Sequence, residues 1–141
     1  MTKEDLYDKF KDILASPSTI EHIFVGEINR RGNAVGFHYE GQFSSGISKI
    51  IPETKKPVDS NNVYEADVEI KSQSKHPRFS SFFPQEWSEE EVLNQIQVAY
   101  KNKRSVTPTL YEGTTEKGLD IQFYLDASGK ILTAYPIYLG V

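Results

Sequence analysis

The sequence predicts one α+β domain in which small helices pack on antiparallel β-sheets. Its 141 residues suit a single domain. Helical and strand patterns follow the order helix, hairpin, strand, helix, hairpin, which is typical of antiparallel sheets. The strongest signals are a capped helix at 88–103 and an alternating strand at 119–125.

The amino-acid composition excludes several kinds of functional site. The chain has no cysteine, which excludes disulfides, thiolate zinc sites and cysteine nucleophiles. No apolar stretch approaches the roughly 18 residues of a membrane span, and the N-terminal sequence MTKEDLYDKF is too polar for a secretory signal. A net charge of −4 argues against a protein that coats nucleic acid, but permits a local basic cleft.

The first predicted element is an amphipathic helix at 3–14. Thr2 and Asp5 resemble a capping box at its start. Pro17 ends it, because the residue before a proline avoids helical geometry. The apolar stripe consists of Leu6, Phe10, Ile13 and Leu14.

Two β-like runs, 23–28 and 34–39, flank the turn sequence NRRGN and predict a hairpin. This hairpin would place Phe24 roughly opposite His38, with His22 one diagonal step away. Opposed side chains in a sheet lie only about 5 Å apart at Cβ. The hairpin is therefore expected to bring the two imidazoles together.

The middle of the chain predicts a long surface loop at 41–62 and then a half-buried strand at 63–70. In the helix at 88–103, Ser88 and Glu91 form a capping box and Trp87 packs on Val92.

The C-terminal segment predicts a hairpin. Residues 119–125 alternate cleanly between apolar and polar side chains, and residues 131–137 form the partner strand. Thr133 and Tyr135 then share one face of that partner strand.

A pair of histidines can supply an acid and a base together. Imidazole has an unperturbed pKa of about 6.5, so one ring can be neutral while the other is protonated. Attack of a ribose 2′-hydroxyl on the adjacent phosphodiester needs both operations. Two alternatives remain: His22 and His38 are unrelated, or they bind a metal, although no HExxH spacing is present.

Four sequence blocks carry a family resemblance. EHIFVGEI, GFHYEG, SSFFP and TAYP occur in this order across residues 18–138. Together they resemble the bacterial branch of the EndoU-type endoribonucleases. The resemblance implies an EndoU-like nuclease fold at 18–141, with an N-terminal helix and linker at 1–17, in one compact domain overall.

The resemblance also implies a mechanism. It places the two catalytic histidines at His22 and His38, with His38 as general base and His22 as general acid, an order that the residues alone leave open. It implies metal-independent or Mn²⁺-stimulated cleavage of RNA that leaves a 2′,3′-cyclic phosphate, with no required cofactor.

The third catalytic group departs from the family pattern. Many family members have a lysine at the position that falls on His76 here. The resemblance therefore leaves three candidates open, namely Lys75, His76 and Arg78. For each of them a solvated loop residue is the alternative.

Further positions are assigned to the substrate by the same resemblance. Thr133 and Tyr135 are expected to line the nucleotide site, where a tyrosine ring offers a flat surface to a sugar or base. Ser80 or Ser81 matches the position that contacts the uracil edge in members with uridine preference.

The resemblance implies a biological setting as well. Bacterial members are often toxin domains that are delivered into a target cell, where they cut single-stranded RNA or tRNA, and each is neutralised by an immunity protein. We expect a monomer with no membrane contact. The alternative is a catalytically impaired RNA- or protein-binding module. The nuclease hypothesis requires both imidazoles within about 8 Å of each other in one cleft, with Tyr135 facing them.

Overall fold

The computed structural model of the protein describes residues 1–75 and 79–140. Within these ranges the helices are α1 (Lys3–Phe10), α2 (Pro17–Phe24) and α3 (Glu89–Lys101), with a 3-10 turn at Gln42–Ser44. The strands are β1 (Glu27–Ile28), β2 (Ala34–Val35), β3 (Ser48–Ile50), β4 (Tyr64–Ala66), β5 (Val68–Ile70), β6 (Gln73–Ser74), β7 (Ser80–Phe82), β8 (Arg104–Ser105), β9 (Leu110–Thr114), β10 (Asp120–Leu125) and β11 (Ile131–Pro136). No described helix combines the length and the apolar character that crossing a bilayer requires.

The sheets are small and their strand pairs are antiparallel. The largest has the order β11-β10-β9-β8, a second has the order β3-β5-β6, and β1–β2 and β4–β7 form two-stranded ribbons. Helices packed on antiparallel sheets confirm the predicted α+β class.

Two hydrophobic clusters hold the fold together. The larger one joins the three helices to the four-stranded sheet. The smaller one lies under β4, β5 and β7 and contains Phe37. His38 lies in the chain between Phe37 and Tyr39, and Tyr39 belongs to the larger cluster. The second histidine is therefore located where the two clusters meet.

Local sequence signals locate several elements correctly. The Ser88 hydroxyl accepts a hydrogen bond from the Glu91 amide at the start of α3. Thr2 and Asp5 form the predicted capping box at the start of α1. The predicted strands at 119–125 and 131–137 correspond to β10 and β11.

The predicted end of the first helix at residue 14 is wrong. Helix α1 ends at Phe10, and Leu14 instead forms a parallel bridge with Ile131 of β11. The Ile131 amide donates to the Ile13 carbonyl, and the Ala15 amide donates to the Ile131 carbonyl. These tertiary hydrogen bonds replace the last helical turn that the apolar spacing predicted.

The predicted strand at 23–28 is also wrong over its first half, because α2 occupies Pro17–Phe24. Ser16 caps α2 and Pro17 occupies its first turn, where a missing amide proton costs nothing. Pro17 thus both ends the preceding segment and begins a helix. The remaining hairpin is short and pairs Glu27 with Val35, so Phe24 and His38 are not opposed in a sheet.

Residues 41–70 are more structured than predicted. The expected loop contains β3, which pairs with β5. The expected strand at 63–70 is divided at Asp67 into β4, which pairs with β7, and β5, which pairs with β3 and β6. Its apolar alternation is correct, because Ala66, Val68 and Ile70 are buried. Strands β8 and β9 were not predicted from the sequence.

Candidate functional site

The two histidines approach each other through the backbone that carries them. His22 lies in the last turn of α2, and His38 follows β2. The Phe37 amide donates to the His22 carbonyl at 2.9 Å, and the His38 amide donates to the Ile23 carbonyl at 2.7 Å. The ring centroids of His22 and His38 are 6.4 Å apart. The predicted proximity is confirmed, although a helix and a loop achieve it rather than a hairpin.

Glycine is required at position 36 to allow this approach. Gly36 has φ +85°, a left-handed backbone that residues with a Cβ rarely adopt. A Cβ there would lie 2.3 Å from the His22 carbonyl oxygen and 3.1 Å from His22 Cδ2. Phe37 is left-handed as well, at φ 70°, and its ring packs edge-on against Phe82. Burial of that ring holds the unfavourable backbone in place.

The environment of His38 determines its tautomer and charge. Its Nδ1 lies 2.8 Å from the Ser81 carbonyl oxygen, and a carbonyl only accepts, so Nδ1 carries the proton and Nε2 the lone pair. Burial, reinforced by the Lys75 ammonium, holds the pKa of His38 well below its ordinary value. His38 is therefore neutral at pH 7 and has the form that a general base needs.

His22 has a different partner. Its Nδ1 lies 3.0 Å from Glu27 Oε1, so this nitrogen donates to the carboxylate. Burial lowers the pKa of His22, while the hydrogen bond and charge of Glu27 oppose that shift. A carboxylate at Nδ1 stabilises the imidazolium, which is the form that a general acid needs. Glu27 was not assigned to the site from the sequence, although it lies in the block EHIFVGEI.

Lys75 supplies a positive charge beside both rings. Its Nζ donates to the Gly36 carbonyl at 3.2 Å and lies 3.5 Å from Ser80 Oγ. The same charge contributes to the lowered pKa values of His22 and His38. The other two candidates for the third catalytic group, His76 and Arg78, lie outside the described residues.

The wall beside His38 belongs to the four-stranded sheet. The Tyr135 ring lies 5.6 Å from the His38 ring, and its hydroxyl donates to Gln122 Oε1 at 2.9 Å. Gln122 Nε2 donates to Glu112 Oε1 at 3.1 Å, and Arg104 pairs with the other Glu112 oxygen at 2.5 Å. A carboxylate only accepts hydrogen bonds, so Glu112 holds the Gln122 amide with its Nε2 towards Glu112. The Gln122 Oε1 then faces the Tyr135 hydroxyl and accepts its hydrogen bond.

The remaining predicted substrate residues differ in position. Thr133 lines the same cavity as the histidines, and its buried Oγ1 has no hydrogen-bond partner among the described residues. Ser81 also lines the cavity. The Ser80 side chain is fully buried and donates to the Phe37 carbonyl at 2.5 Å, behind His38. Ser80 therefore supports the backbone that carries His38, and of the two candidate serines it is Ser81 that lines the cavity.

These side chains line one open cavity of about 550 Å³. This volume is in the range of small-molecule sites and is large enough for a nucleotide. Besides the predicted residues, the lining includes side chains that were not assigned to the site from the sequence, among them Glu65, Phe79, Tyr124 and Tyr138. Phe79 and Tyr124 are exposed, and exposed aromatic side chains are surfaces on which bases stack.

Few of the basic side chains outside the helix ends lie at the cavity. Lys75 lines it, and Lys56 pairs with Glu65 at its wall. Lys49 and Lys55 pair with glutamates elsewhere. Arg30, Arg31 and Lys71 are exposed.

The described residues contain no group of three or more histidine, aspartate or glutamate side chains arranged to hold a metal ion. His22 and Glu27 converge as a pair, and their hydrogen bond accounts for that contact.

The chain is similar to known proteins along most of its length. A sequence model of the bacterial EndoU nuclease matches residues 16–138. A curated protein of Bacillus cereus described as a toxin is 37% identical over 122 residues, which is 85% of this chain but 22% of that protein. The chain therefore spans about a fifth of the length of this relative.

Solved structures agree in fold. The endoribonuclease Nsp15 encoded by Middle East Respiratory Syndrome coronavirus superposes with a TM-score of 0.58 at 10% identity, over 97% of this chain and 38% of that chain. XendoU, a splicing-independent snoRNA-processing endoribonuclease, superposes with a TM-score of 0.57 at 20% identity, over 97% of this chain and 55% of that chain.

The paired imidazoles, their shared cavity and the superposed fold all occur in the part of the chain that the family model covers. The match extends from the cap of α2 to the residues after β11. On this ground the chain belongs to the bacterial EndoU nuclease family.

Proposed function

We propose that this chain is an endoribonuclease that cuts single-stranded RNA or tRNA by attack of the ribose 2′-hydroxyl on the adjacent phosphodiester. The products are a 2′,3′-cyclic phosphate and a free 5′-hydroxyl. The observation that carries the proposal is the pair of imidazoles 6.4 Å apart, each with Nδ1 held by an acceptor, in one cavity beside Tyr135. This geometry leaves both Nε2 atoms for the reaction.

His38 acts as the general base in this proposal. Its Nε2 lone pair removes the proton from the 2′-hydroxyl, and the oxygen attacks phosphorus. The Ser81 carbonyl fixes the tautomer that this step requires. Because burial keeps His38 neutral, the base is competent below neutral pH as well.

His22 acts as the general acid. It donates a proton from Nε2 to the departing 5′-oxygen as the phosphorus–oxygen bond breaks. Glu27 stabilises the protonated ring through Nδ1, which is the reason to assign the acid role to His22 rather than to His38.

Lys75 is the third catalytic group in this proposal. The phosphorane intermediate carries more negative charge than the phosphodiester, and a fixed ammonium beside both rings stabilises it. The alternative, a catalytically impaired binding module, is motivated by the absence of the family's lysine. Lys75 lines the cavity and lies one position before the place of that lysine, so it weakens this alternative. His76 and Arg78 stay secondary candidates for the same role.

Three further side chains that line the cavity contact the substrate in this proposal. The Tyr135 ring supports the sugar or base, and the Thr133 hydroxyl hydrogen-bonds the phosphate, which would satisfy its buried oxygen. Ser81 contacts the base edge. We count Mn²⁺ as a stimulator and not as a reactant.

The biological setting is part of the same proposal. Its support is the similarity to a longer Bacillus cereus protein described as a toxin. We infer that this nuclease domain is delivered into a target cell, acts on RNA in the cytoplasm, and is neutralised in the producing cell by a cognate immunity protein. We take the catalytic unit to be a monomer.

The test is cleavage of total tRNA and of a uridine-containing oligonucleotide in the presence of EDTA, beside the variant His38→Ala. We expect cleavage by the wild-type chain, 2′,3′-cyclic phosphate ends, and loss of at least about 100-fold in the variant. Wild-type activity that EDTA abolishes would favour a metal-dependent hydrolase. A folded chain that binds but never cleaves RNA would favour the binding module.

A further inference from the structure

The ribbon β4–β7 forms one wall of the cavity, and its two faces are chemically different. One face carries Tyr64, Ala66, Ser80 and Phe82, all of which are buried. The other face carries Glu65 and Ser81, which are directly opposed and both line the cavity. Opposed side chains in an antiparallel pair lie about 5 Å apart at Cβ. A carboxylate is therefore located next to the serine that we assign to the base edge.

The Glu65 carboxylate is held in place by a lysine. Lys56 Nζ lies 3.2 Å from Glu65 Oε1, and the Lys56 amide donates to the Glu65 carbonyl at 2.8 Å. The same ammonium lies 3.9 Å from the ring centroid of Phe79, which is 45% exposed and lines the cavity. A carboxylate has about four acceptor positions, and the described contacts occupy one of them. Glu65 retains the capacity to accept further hydrogen bonds beside an exposed aromatic ring.

This wall is close enough to the histidines to contact the same nucleotide. The Ser81 carbonyl oxygen is 2.8 Å from His38 Nδ1, and neighbouring strands lie about 4.8 Å apart, so Glu65 is one strand beyond Ser81. His38, Glu65, Phe79 and Ser81 line the same cavity, so a nucleotide bound at His38 shares that cavity with this wall.

We propose that Glu65 and Phe79 form a base-recognition subsite that selects guanine over uracil at the nucleotide whose 2′-hydroxyl is attacked. This inference rests on the proposed function and names its substrate. Guanine presents two adjacent donors, N1–H and the 2-amino group, which match the two oxygens of a carboxylate. The N3–H of uracil is flanked by carbonyl oxygens, which a carboxylate repels. Phe79 stacks on the base without selecting it.

The test uses DNA oligonucleotides that contain one ribonucleotide, either guanosine, inosine or uridine, with kcat/KM as the readout. We expect the wild-type chain to cleave at guanosine about 10-fold faster than at uridine, because a bidentate contact to a base discriminates on this scale. Inosine keeps N1–H and lacks the 2-amino group, so it should fall between them. In Glu65→Gln the guanosine-to-uridine ratio should collapse towards one.

Glu69→Gln is the matched control. Glu69 belongs to β5, pairs with Lys49 at 3.4 Å, and lines a different cavity, so the substitution removes the same charge and also releases a lysine. We expect it to keep the wild-type ratio. A ratio that survives in Glu65→Gln, or a wild-type preference for uridine, would overturn the inference and leave the nuclease assignment intact. If the folded wild-type chain cleaves none of these oligonucleotides and no tRNA, the proposed function itself fails.

Discussion

At the scale of single residues, the two imidazoles differ in the acceptor that holds Nδ1. His38 donates to a neutral carbonyl, whereas His22 donates to the Glu27 carboxylate. Burial lowers the pKa of both rings, and Glu27 opposes the shift at His22. Both the hydrogen bond and the charge of Glu27 favour the protonated form at His22, whereas at His38 only the hydrogen bond to the uncharged Ser81 carbonyl acts in that direction. This asymmetry assigns the two proton-transfer roles in the proposed mechanism.

The pH dependence of cleavage tests this asymmetry. The base must be neutral and the acid protonated, and the pKa values of both groups lie below the ordinary value of 6.5. We expect kcat/KM to be maximal below pH 6.5 and to fall as the pH rises through neutrality. In Glu27→Gln the pKa of His22 should decrease further, so the falling limb should move to lower pH while the rising limb, which reports His38, stays in place.

Glu69→Gln is again the control, since its carboxylate pairs with Lys49 and lines a different cavity from the two histidines. It should leave both limbs unchanged. A falling limb in Glu27→Gln that coincides with the wild-type limb would contradict the role of Glu27 and the assignment of His22 as the acid.

At the scale of elements, the approach of α2 to the segment after β2 depends on backbone contact. Two backbone hydrogen bonds join Phe37 and His38 to the last turn of α2. Gly36 and Phe37 both have left-handed backbone angles, which turn the chain so that His38 faces His22. The distance between the two imidazole rings is therefore set by a strained, buried turn rather than by the β1–β2 pairing.

Gly36→Ala should disrupt this turn. The new Cβ would lie 2.3 Å from the His22 carbonyl oxygen, so the two segments must separate. We expect a destabilisation of about 1–3 kcal/mol and a loss of cleavage of about 100-fold, because a small displacement of catalytic groups is costly. Thermal unfolding and cleavage rates at a temperature where the variant is folded measure the two effects.

Gly32→Ala provides a matched comparison. Gly32 also has a left-handed backbone, at φ +80°, but a Cβ there meets nothing within 4 Å. This variant should lose stability through backbone strain alone and keep wild-type cleavage. Equal cleavage by the two variants would show that contact at Gly36 does not set the distance between the histidines.

At the scale of the whole molecule, the N-terminal segment belongs to the same core as the site. Leu6 and Phe10 of α1 are buried in the larger cluster, and Leu14 pairs with Ile131 of β11. The same strand carries Tyr135 at the cavity. Residues 1–15 lie outside the match to the family model, yet residues 13–15 pair with the strand that forms one wall of the cavity.

Phe10→Ala should separate stability from chemistry. Truncation of a buried phenylalanine costs about 3–5 kcal/mol, while the described lining of the cavity includes no residue of α1. We expect a large decrease in the thermal midpoint and an unchanged kcat/KM under conditions where the variant stays folded. The neighbouring Lys9→Ala removes an exposed ion pair with Glu90 and should cost less than about 1 kcal/mol. A large loss of kcat/KM in folded Phe10→Ala would contradict this expectation and show that the packing of α1 affects the geometry of the site.

Local spacing along the chain is enough to predict several parts of this protein. Helix α3 follows from its cap and its apolar stripe, and β10 from strict alternation. The pairing of His22 with His38 and the common face of Thr133 and Tyr135 were also predictable. The helix, the strand and the common face are encoded within a few residues of the chain, where side-chain periodicity and capping act. The proximity of the histidines was predicted through a hairpin, whereas backbone contacts between α2 and the turn at Gly36 produce it.

Other features depend on partners that are distant in the chain, and the folded structure is needed to see them. It ended α1 at Phe10 because Ile131 supplies hydrogen bonds to the residues that follow. It divided 63–70 between two partners, β7 and β3, and so turned Glu65 towards the cavity. It also brought Lys75 and Gln122 to the histidines. No local pattern specifies these arrangements, because the energy that selects them comes from burial and hydrogen bonds formed only when distant segments meet.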